Sequence, residues 1–398
     1  MTHTPTFDGL KVVEFAHIVA GPLAGGLLAD LGATVVHVED PASGDPTRRM
    51  GQSRDDGRNV WWPAIGRNKR SVTLDLRSRD GQELARRLAS WADVVITNMR
   101  PSTLVGWGLD WTSLHALNPR LVMLQISANG VNSSRPDEPG FGKVGEARSG
   151  AIHLNGLKDG PPMATGFSQA DAVTGLMGAF AISAALTRRH EDDFDGEWID
   201  LALFESLFRL IDWQVPMFDQ IGYIATRAGN QVEAVPTALI NTYATNDKEY
   251  IIVTSGTPKS VQRIAALVGL PAADYASMAQ LADGRQRLDD ELANWVSART
   301  AEDCLKVMAE NQVVASKIFT VADIVDDPIF LERDDVITVD DPGLGAFRMH
   351  GIIPRMENRP GAIWRTGPQL GEDNEAIYAG ELNLSADELA AYRSRGTI

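Results

Sequence analysis

Gly9-Leu10-Lys11-Val12-Val13-Glu14-Phe15, then Ala20-Gly21-Pro22, then Leu31-Gly32-Ala33-Thr34-Val35-Val36-His37-Val38-Glu39 is the stretch that decides the fold. Residues 10–15 are a short apolar run rich in Val, the mark of a buried strand. Residues 22–31 carry Leu23, Leu27, Leu28 and Leu31 at helical spacing. Gly32 is placed to stop that helix, and Thr34 to Val38 is the next strand. Moving outward, the alternation continues. Val72–Leu76, Val94–Ile96 and Leu121–Ile126 are expected strands, and 81–91 is an amphipathic helix through Leu84, Leu88 and Trp91. Strands alternating with helices imply a mainly parallel α/β sheet covered on both faces. Ligands on such a sheet bind beyond the carboxyl ends of its strands.

A dinucleotide fold shares this outline, with Glu39 and Asp40 after the second strand. Its glycine fingerprint is incomplete here. The turn reads Ala20-Gly21-Pro22-Leu23-Ala24-Gly25-Gly26, and Leu23 stands where pyrophosphate needs a glycine.

The middle of the chain changes character. Helices are expected around 174–189 and 201–221, then a strand at Tyr250–Val253. Short helices follow at 261–268, 276–281, 288–298 and 301–311. We divide the chain at 1–224, 225–325 and 326–398, with the middle segment a smaller second domain and Ala376 onward helical.

Composition narrows the partners. A formal charge of -16 over 398 residues argues against a nucleic-acid partner, and any anionic ligand needs local Lys and Arg. One cysteine, Cys304, excludes an internal disulfide framework and suits a reducing cytoplasm. No basic-then-apolar leader precedes the first strand, so secretion is not expected. The longest apolar stretch, Leu176–Leu186, is short for a bilayer, so no membrane partner is expected.

Asp171 is the candidate for chemistry. It sits in Ser168-Gln169-Ala170-Asp171-Ala172-Val173-Thr174-Gly175, where a loop turns into a long apolar helix. Ser168-x-x-Asp171 fits a capping box, in which the acid only serves its helix. A carboxylate at the mouth of a pocket can instead be a nucleophile.

The order of segments resembles the class III coenzyme A transferases, a family that includes formyl-CoA transferase, carnitine CoA-transferase and α-methylacyl-CoA racemase. The resemblance rests on the opening stretch, Ser43-Gly44-Asp45, Asn68-Lys69-Arg70-Ser71, Ala92-Asp93-Val94-Val95-Ile96-Thr97-Asn98, Asn118-Pro119-Arg120-Leu121 and Pro368-Gln369-Leu370-Gly371-Glu372-Asp373-Asn374. It implies a large Rossmann-like domain built from both chain ends, a smaller α+β domain from the middle, and two chains interlocked as a ring-like homodimer. It places Asp171 at the nucleophile position. It implies an acyl-CoA thioester and a carboxylic acid as substrates, aspartyl anhydride and aspartyl-CoA intermediates, and no tightly bound cofactor or metal. By the same resemblance, Val19, Leu74, Arg77, Asn98, Met99, Arg100 and Lys143 are candidate CoA contacts. Lys69 and Arg70 are further candidate phosphate partners, and Glu146 borders the thioester.

Departures from the family matter as much. Val19 stands where formyl-CoA transferase has a Gln, beside a retained His17. The segment Gln231-Val232-Glu233-Ala234-Val235 lacks the glycines of that enzyme's mobile loop. The racemase branch needs a His where this chain has Phe141, and His153, in an expected half-buried position, is the nearest imidazole. Racemization and a non-catalytic acyl-CoA-binding subunit are the alternatives to transfer.

Overall fold

Six strands hydrogen-bond side by side in the first half of the chain: β1 (Lys11–Phe15), β2 (Thr34–Glu39), β3 (Lys69–Thr73), β4 (Val94–Thr97), β5 (Val122–Ser127) and β6 (Glu197–Ala202). Their order is β3-β2-β1-β4-β5-β6 and every pair is parallel. This is the doubly wound order, with its switch point between β1 and β4. The computed structural model describes residues 4–232, 235 and 237–398. Glu233 and Ala234 of the glycine-free segment, and Pro236, lie outside the described residues.

Alternation along a strand sends neighbours to opposite faces. Val13, Phe15, Val36 and Val95 enter one core, with Leu84 and Leu88 of helix 79–91. Val12, Val35, Val94 and Ile96 enter the other, with Ala24 and Leu28 of α1 (Ala20–Asp30). The chain's end returns to the first core. Tyr378 is fully buried there, and its hydroxyl donates to the Thr73 carbonyl at 2.9 Å.

Several expectations shift. The third strand covers 69–73, not 72–76: Leu74 still donates to the Glu39 carbonyl at the end of β2, but the Asp75 N–H turns away to the Thr397 carbonyl. Residues 197–202 form β6, which takes 201–202 from the expected helix 201–221, since their backbone pairs with β5 throughout. Gly196, at φ +70, opens that strand. In α1 the face laid on the sheet is Ala24, Gly25, Leu28 and Ala29, while Leu23 and Leu27 are only half-buried. The two helices expected over 276–298 are one, Met278–Ser297, because the ring of Tyr275 packs at Gly284 and leaves no reason to break there.

The contacts divide the chain into two compact units, 1–151 with 165–211 and 328–398, and 152–164 with 212–327. The boundaries differ from 225 and 325. Residues 152–164 join the second unit, where Arg227 donates to the Gly160 carbonyl at 2.9 Å and Gly229 N–H to the Gly156 carbonyl at 3.0 Å. That unit has an antiparallel sheet, β7 (Leu239–Ala244), β8 (Tyr250–Ser255) and β9 (Ala315–Lys317), over its own apolar core.

Candidate active site

The carboxyl ends of β1, β4 and β5 open at the switch point, where this topology places ligands. A cavity of about 210 Å³ lies there. His17, Ile18, Val19 and Ala20 form one wall; Asn98, Ser127 and Ala128 follow from the other strands; Phe141, Leu203 and Asp171 complete it.

Asp171 arrives on the first turn of α2 (Gln169–Leu186). The expected capping box does not form, since Ser168 makes no side-chain cap bond. Glu146 does the capping instead, accepting the Gln169 N–H at 2.9 Å. This frees Asp171 from its own helix. Its carboxylate takes the N–H of Gly142, the first residue of helix Gly142–Ser149. Burial raises the Asp171 carboxyl to about 6, and the nearby charge of Glu146 adds to the rise. The Gly142 N–H and the Lys143 ammonium oppose it. Asp171 is therefore ionised at neutral pH yet more basic than an ordinary aspartate, which suits a nucleophile.

Lys143 and Glu146 form a pair one turn apart. The Lys143 ammonium lies 2.9 Å from both Glu146 oxygens and donates to the carbonyls of Thr165 at 2.8 Å and Phe167 at 2.6 Å. Glu146 is buried. Together they fix the loop that delivers Asp171.

Asn98 spends its amide on the His17 peptide. It accepts the His17 N–H at 3.0 Å and donates to the His17 carbonyl at 2.8 Å. The next residue, Ile18, has φ +73. A β-branched residue in that region costs on the order of 1–3 kcal/mol and persists only where its surroundings enforce it. Asp45 supplies the second constraint, accepting the Ile18 N–H at 3.1 Å. The bent turn leads into α1, whose first residues carry no side-chain cap.

A second cavity of about 170 Å³ shares Asn98, Ser127, Ala128 and Phe141 with the first and adds Met99 and Arg100. The remaining predicted contacts lie elsewhere. Leu74 is a core side chain. Arg77 is exposed and paired with Asp40 and Asp75 at 2.7 and 2.8 Å. Arg70 is half-exposed beside Asp373. Lys69 is not available to phosphate: it is buried, with its ammonium on Glu14 and the Pro22 carbonyl. His153, expected half-buried, is exposed on the short helix Ala151–Leu154.

What the sequence reading missed is the pairing of polar residues inside the sheet: Glu14 and His37 were not singled out, and Lys69 was expected at phosphate. Their signal was charge in otherwise buried runs. His17, His37 and Asp45 also bring three donor atoms within 4.8 Å, the spacing of a metal site. His37 faces carboxylates from both ring nitrogens, Glu14 at 2.7 Å and Asp45 at 3.3 Å, and holds its proton to about 9. His37 Nδ1 is engaged by Glu14, and Asp45 by the Ile18 N–H and Thr47, so we read the group as an ion-pair chain.

Comparisons with known proteins show the family. The description CoA-transferase family III matches residues 7–374. The chain belongs to CoA-transferase family III and is an enzyme of that class. Among its relatives is a succinyl-CoA–D-citramalate CoA-transferase of Chloroflexus aurantiacus, 36% identical over 98% of both chains. A succinyl-CoA–L-malate CoA-transferase beta subunit of the same organism is 32% identical over 100% of this chain and 99% of its own. A CAIB/BAIF family protein of Brucella suis has a crystal structure that superposes with TM-score 0.82, at 32% identity over 95% of this chain and 100% of that one.

Proposed function

We propose that this enzyme moves CoA from an acyl-CoA to a free carboxylate through covalent intermediates on Asp171. The observation that carries the proposal is an ionised, raised-pKa carboxylate on the wall of the switch-point cavity. An Asp171 oxygen attacks the thioester carbonyl, the C–S bond breaks, and CoA leaves as thiolate with a mixed anhydride on the aspartate. The thiolate attacks the aspartyl carbonyl and releases the first acid, leaving an aspartyl-CoA thioester. The acceptor carboxylate attacks that carbonyl, the thiolate leaves again, and its attack on the new acyl group yields product and restores Asp171. Each step exchanges groups of similar energy. The sequence needs no tightly bound cofactor.

The donor we place first is succinyl-CoA, which both named relatives carry in their names. Met99 and Arg100, at the second cavity, are our nucleotide-side contacts, with Arg77 recruited by rotating off Asp75 and Val19 facing the thioester. Leu74 and Asn98 act through the backbone they fix, and Lys143 by holding the Asp171 loop. A cytoplasmic setting is part of the proposal, consistent with the buried thiol of Cys304.

We also propose an interlocked ring-like homodimer, the larger part of each chain drawn from both its ends. Support comes from α2, the one helix among the described residues long and apolar enough to cross a membrane by length and composition. It begins at Gln169, so it is longer than the 176–186 stretch suggested. Ala170, Gly175, Gly178 and Ile182 bury one face, while Leu176 and Phe180 are exposed on the other. Asp171 on its first turn is half-buried and ionised, so we do not read the helix as a membrane span, and its exposed apolar face calls for protein.

The test is a screen of acyl-CoA donors against acid acceptors, with products separated by mass and hydroxylamine added during turnover. Modification of Asp171 by hydroxylamine is the expected result. Consumption of a donor with Asp171 never modified counts against the proposal. Racemization has one observation in its favour, the imidazole of His17 in the same cavity. Incubation of a 2-methylacyl-CoA in deuterium oxide separates the readings, because only racemization labels the α-carbon at the rate of turnover.

A further inference from the structure

The turn that walls the Asp171 cavity is gripped at both ends by a single chain of buried charges. At one end the Ile18 N–H donates to Asp45 Oδ2 at 3.1 Å. That oxygen lies 3.3 Å from His37 Nε2 and 3.5 Å from His17 Nδ1, while Asp45 Oδ1 is held by Thr47 at 2.6 Å. His37 Nδ1 meets Glu14 Oε2 at 2.7 Å. Glu14 meets the Lys69 ammonium at 2.9 Å, and that ammonium donates to the Pro22 carbonyl at 2.6 Å. Pro22 is in the first turn of α1, four residues after Ile18. The chain thus leaves the segment and returns to it. Gly25 makes room, because a Cβ there would overlap Glu14 Oε1.

Buried ion pairs are poor stabilisers, and apolar side chains of similar volume often serve a core as well. Their use here, closed on one short backbone segment with a left-handed Ile, calls for a positional role. We propose that His37 is a positioning residue for CoA transfer: by bridging Glu14 and Asp45 it holds the His17–Ile18–Val19 wall in the geometry that the reaction at Asp171 requires. The inference rests on the Asp171 reading above.

His37 Nδ1 is hydrogen-bonded to Glu14, while Nε2 faces Asp45 at 3.3 Å without hydrogen-bond geometry, so the Asp45 side of the bridge is a charge contact that only the imidazolium makes. Burial works against that charge, but the contact with Asp45, the hydrogen bond to Glu14 and the charges of Glu14 and Glu39 outweigh it and raise His37 to about 9. The other neighbours are the edge-on ring of His17 and the tilted ring of Trp62, with Arg48 and Lys69 pairing Glu39 and Glu14. Below about 9 the bridge is intact; as pH rises through that value one link is lost. His37→Gln, which donates from one group only, mimics the alkaline form.

The experiment measures kcat and donor KM from acid to alkaline pH for the wild type, His37→Gln and Asp171→Ala, with succinyl-CoA and the acceptor found in the screen. The wild type should lose kcat, not donor affinity, above about pH 9. His37→Gln should show kcat lower by about 10- to 100-fold at neutral pH, the scale of a small misplacement, with donor KM little changed and no alkaline fall. An alkaline fall that persists in His37→Gln, or a neutral-pH kcat equal to wild type, overturns the inference. So does a wild-type profile with no fall in kcat, which decides the matter even where the variant fails to fold. Turnover by Asp171→Ala would instead remove the nucleophile reading, so the two failures are distinct.

Discussion

Gly142 and Asp171 touch: a Cβ added to Gly142 would overlap the Asp171 carboxylate, which the Gly142 N–H faces. Two segments 29 residues apart in the chain thus meet at the candidate nucleophile. Gly142 opens its helix, a position where alanine is well tolerated by the backbone. Gly142→Ala should therefore fold normally and lose transfer by about 100-fold or more, because displacement of a reacting group by an ångström costs that much. Circular dichroism and a transfer assay check it; full activity would mean the carboxylate can work from another position.

Asp171 carries a stability cost that its replacement should reveal. Its folded pKa of about 6 exceeds the ordinary 3.8. Between those values the native state holds a proton that the unfolded chain has lost, so this group's contribution falls as pH rises through the window. For a partly solvated carboxylate the full effect is on the order of 1–3 kcal/mol. Asp171→Asn should be inactive and melt higher than wild type at pH 8. The gain should shrink toward pH 4 and vanish below it. An equal shift in melting temperature at both pH values would contradict the raised pKa.

Glu146 sets the acid side of the rate profile. Its charge helps raise Asp171, after burial itself. Glu146→Gln should move the acid limb of kcat, expected near pH 6, to lower pH. The Gln can still accept the Gln169 N–H, so the helix start survives. A limb that stays in place would assign it to a group other than Asp171.

The exposed face of α2 predicts assembly. Light scattering of the wild type should give about twice the 43.2 kDa chain mass across a wide dilution range. Phe180→Asp should weaken that assembly, since Phe180 is 69% exposed in the single chain and a charge there cannot be buried without cost. A stable wild-type monomer would refute the interlocked homodimer, and a requirement for a second, different chain would favour a subunit of the kind named for the beta-subunit relative.

Much of the fold was readable because its signals are local. The Val-rich runs, the helix spacings and the stop at Gly32 depend on residues within a few positions of each other. Of the candidate residues, Asp171, Asn98, Met99 and Arg100 line the two cavities, and they follow directly on strands or start helices. Strand β6 was not readable. Its neighbours Leu203 to Leu207 continue an apolar run, and only pairing with β5 makes 197–202 extended. Leu74 was misplaced because a short apolar run does not show where its ladder ends.

The sequence by itself determined the parallel α/β plan and the family, and singled out Asp171 as the candidate acid. Tertiary structure decided what each polar group is for. Ser168 and Asp171 have capping-box spacing, yet Glu146 caps the helix and Asp171 turns to Gly142, because a buried carboxylate 23 residues away reaches Gln169 first. Lys69 looks like a phosphate ligand until Glu14, 55 residues distant, takes its charge. Hydrogen bonds and ion pairs act over a few ångströms in space and have no preference for separation along the chain, so partners for buried charge are fixed only once the strands stand in register.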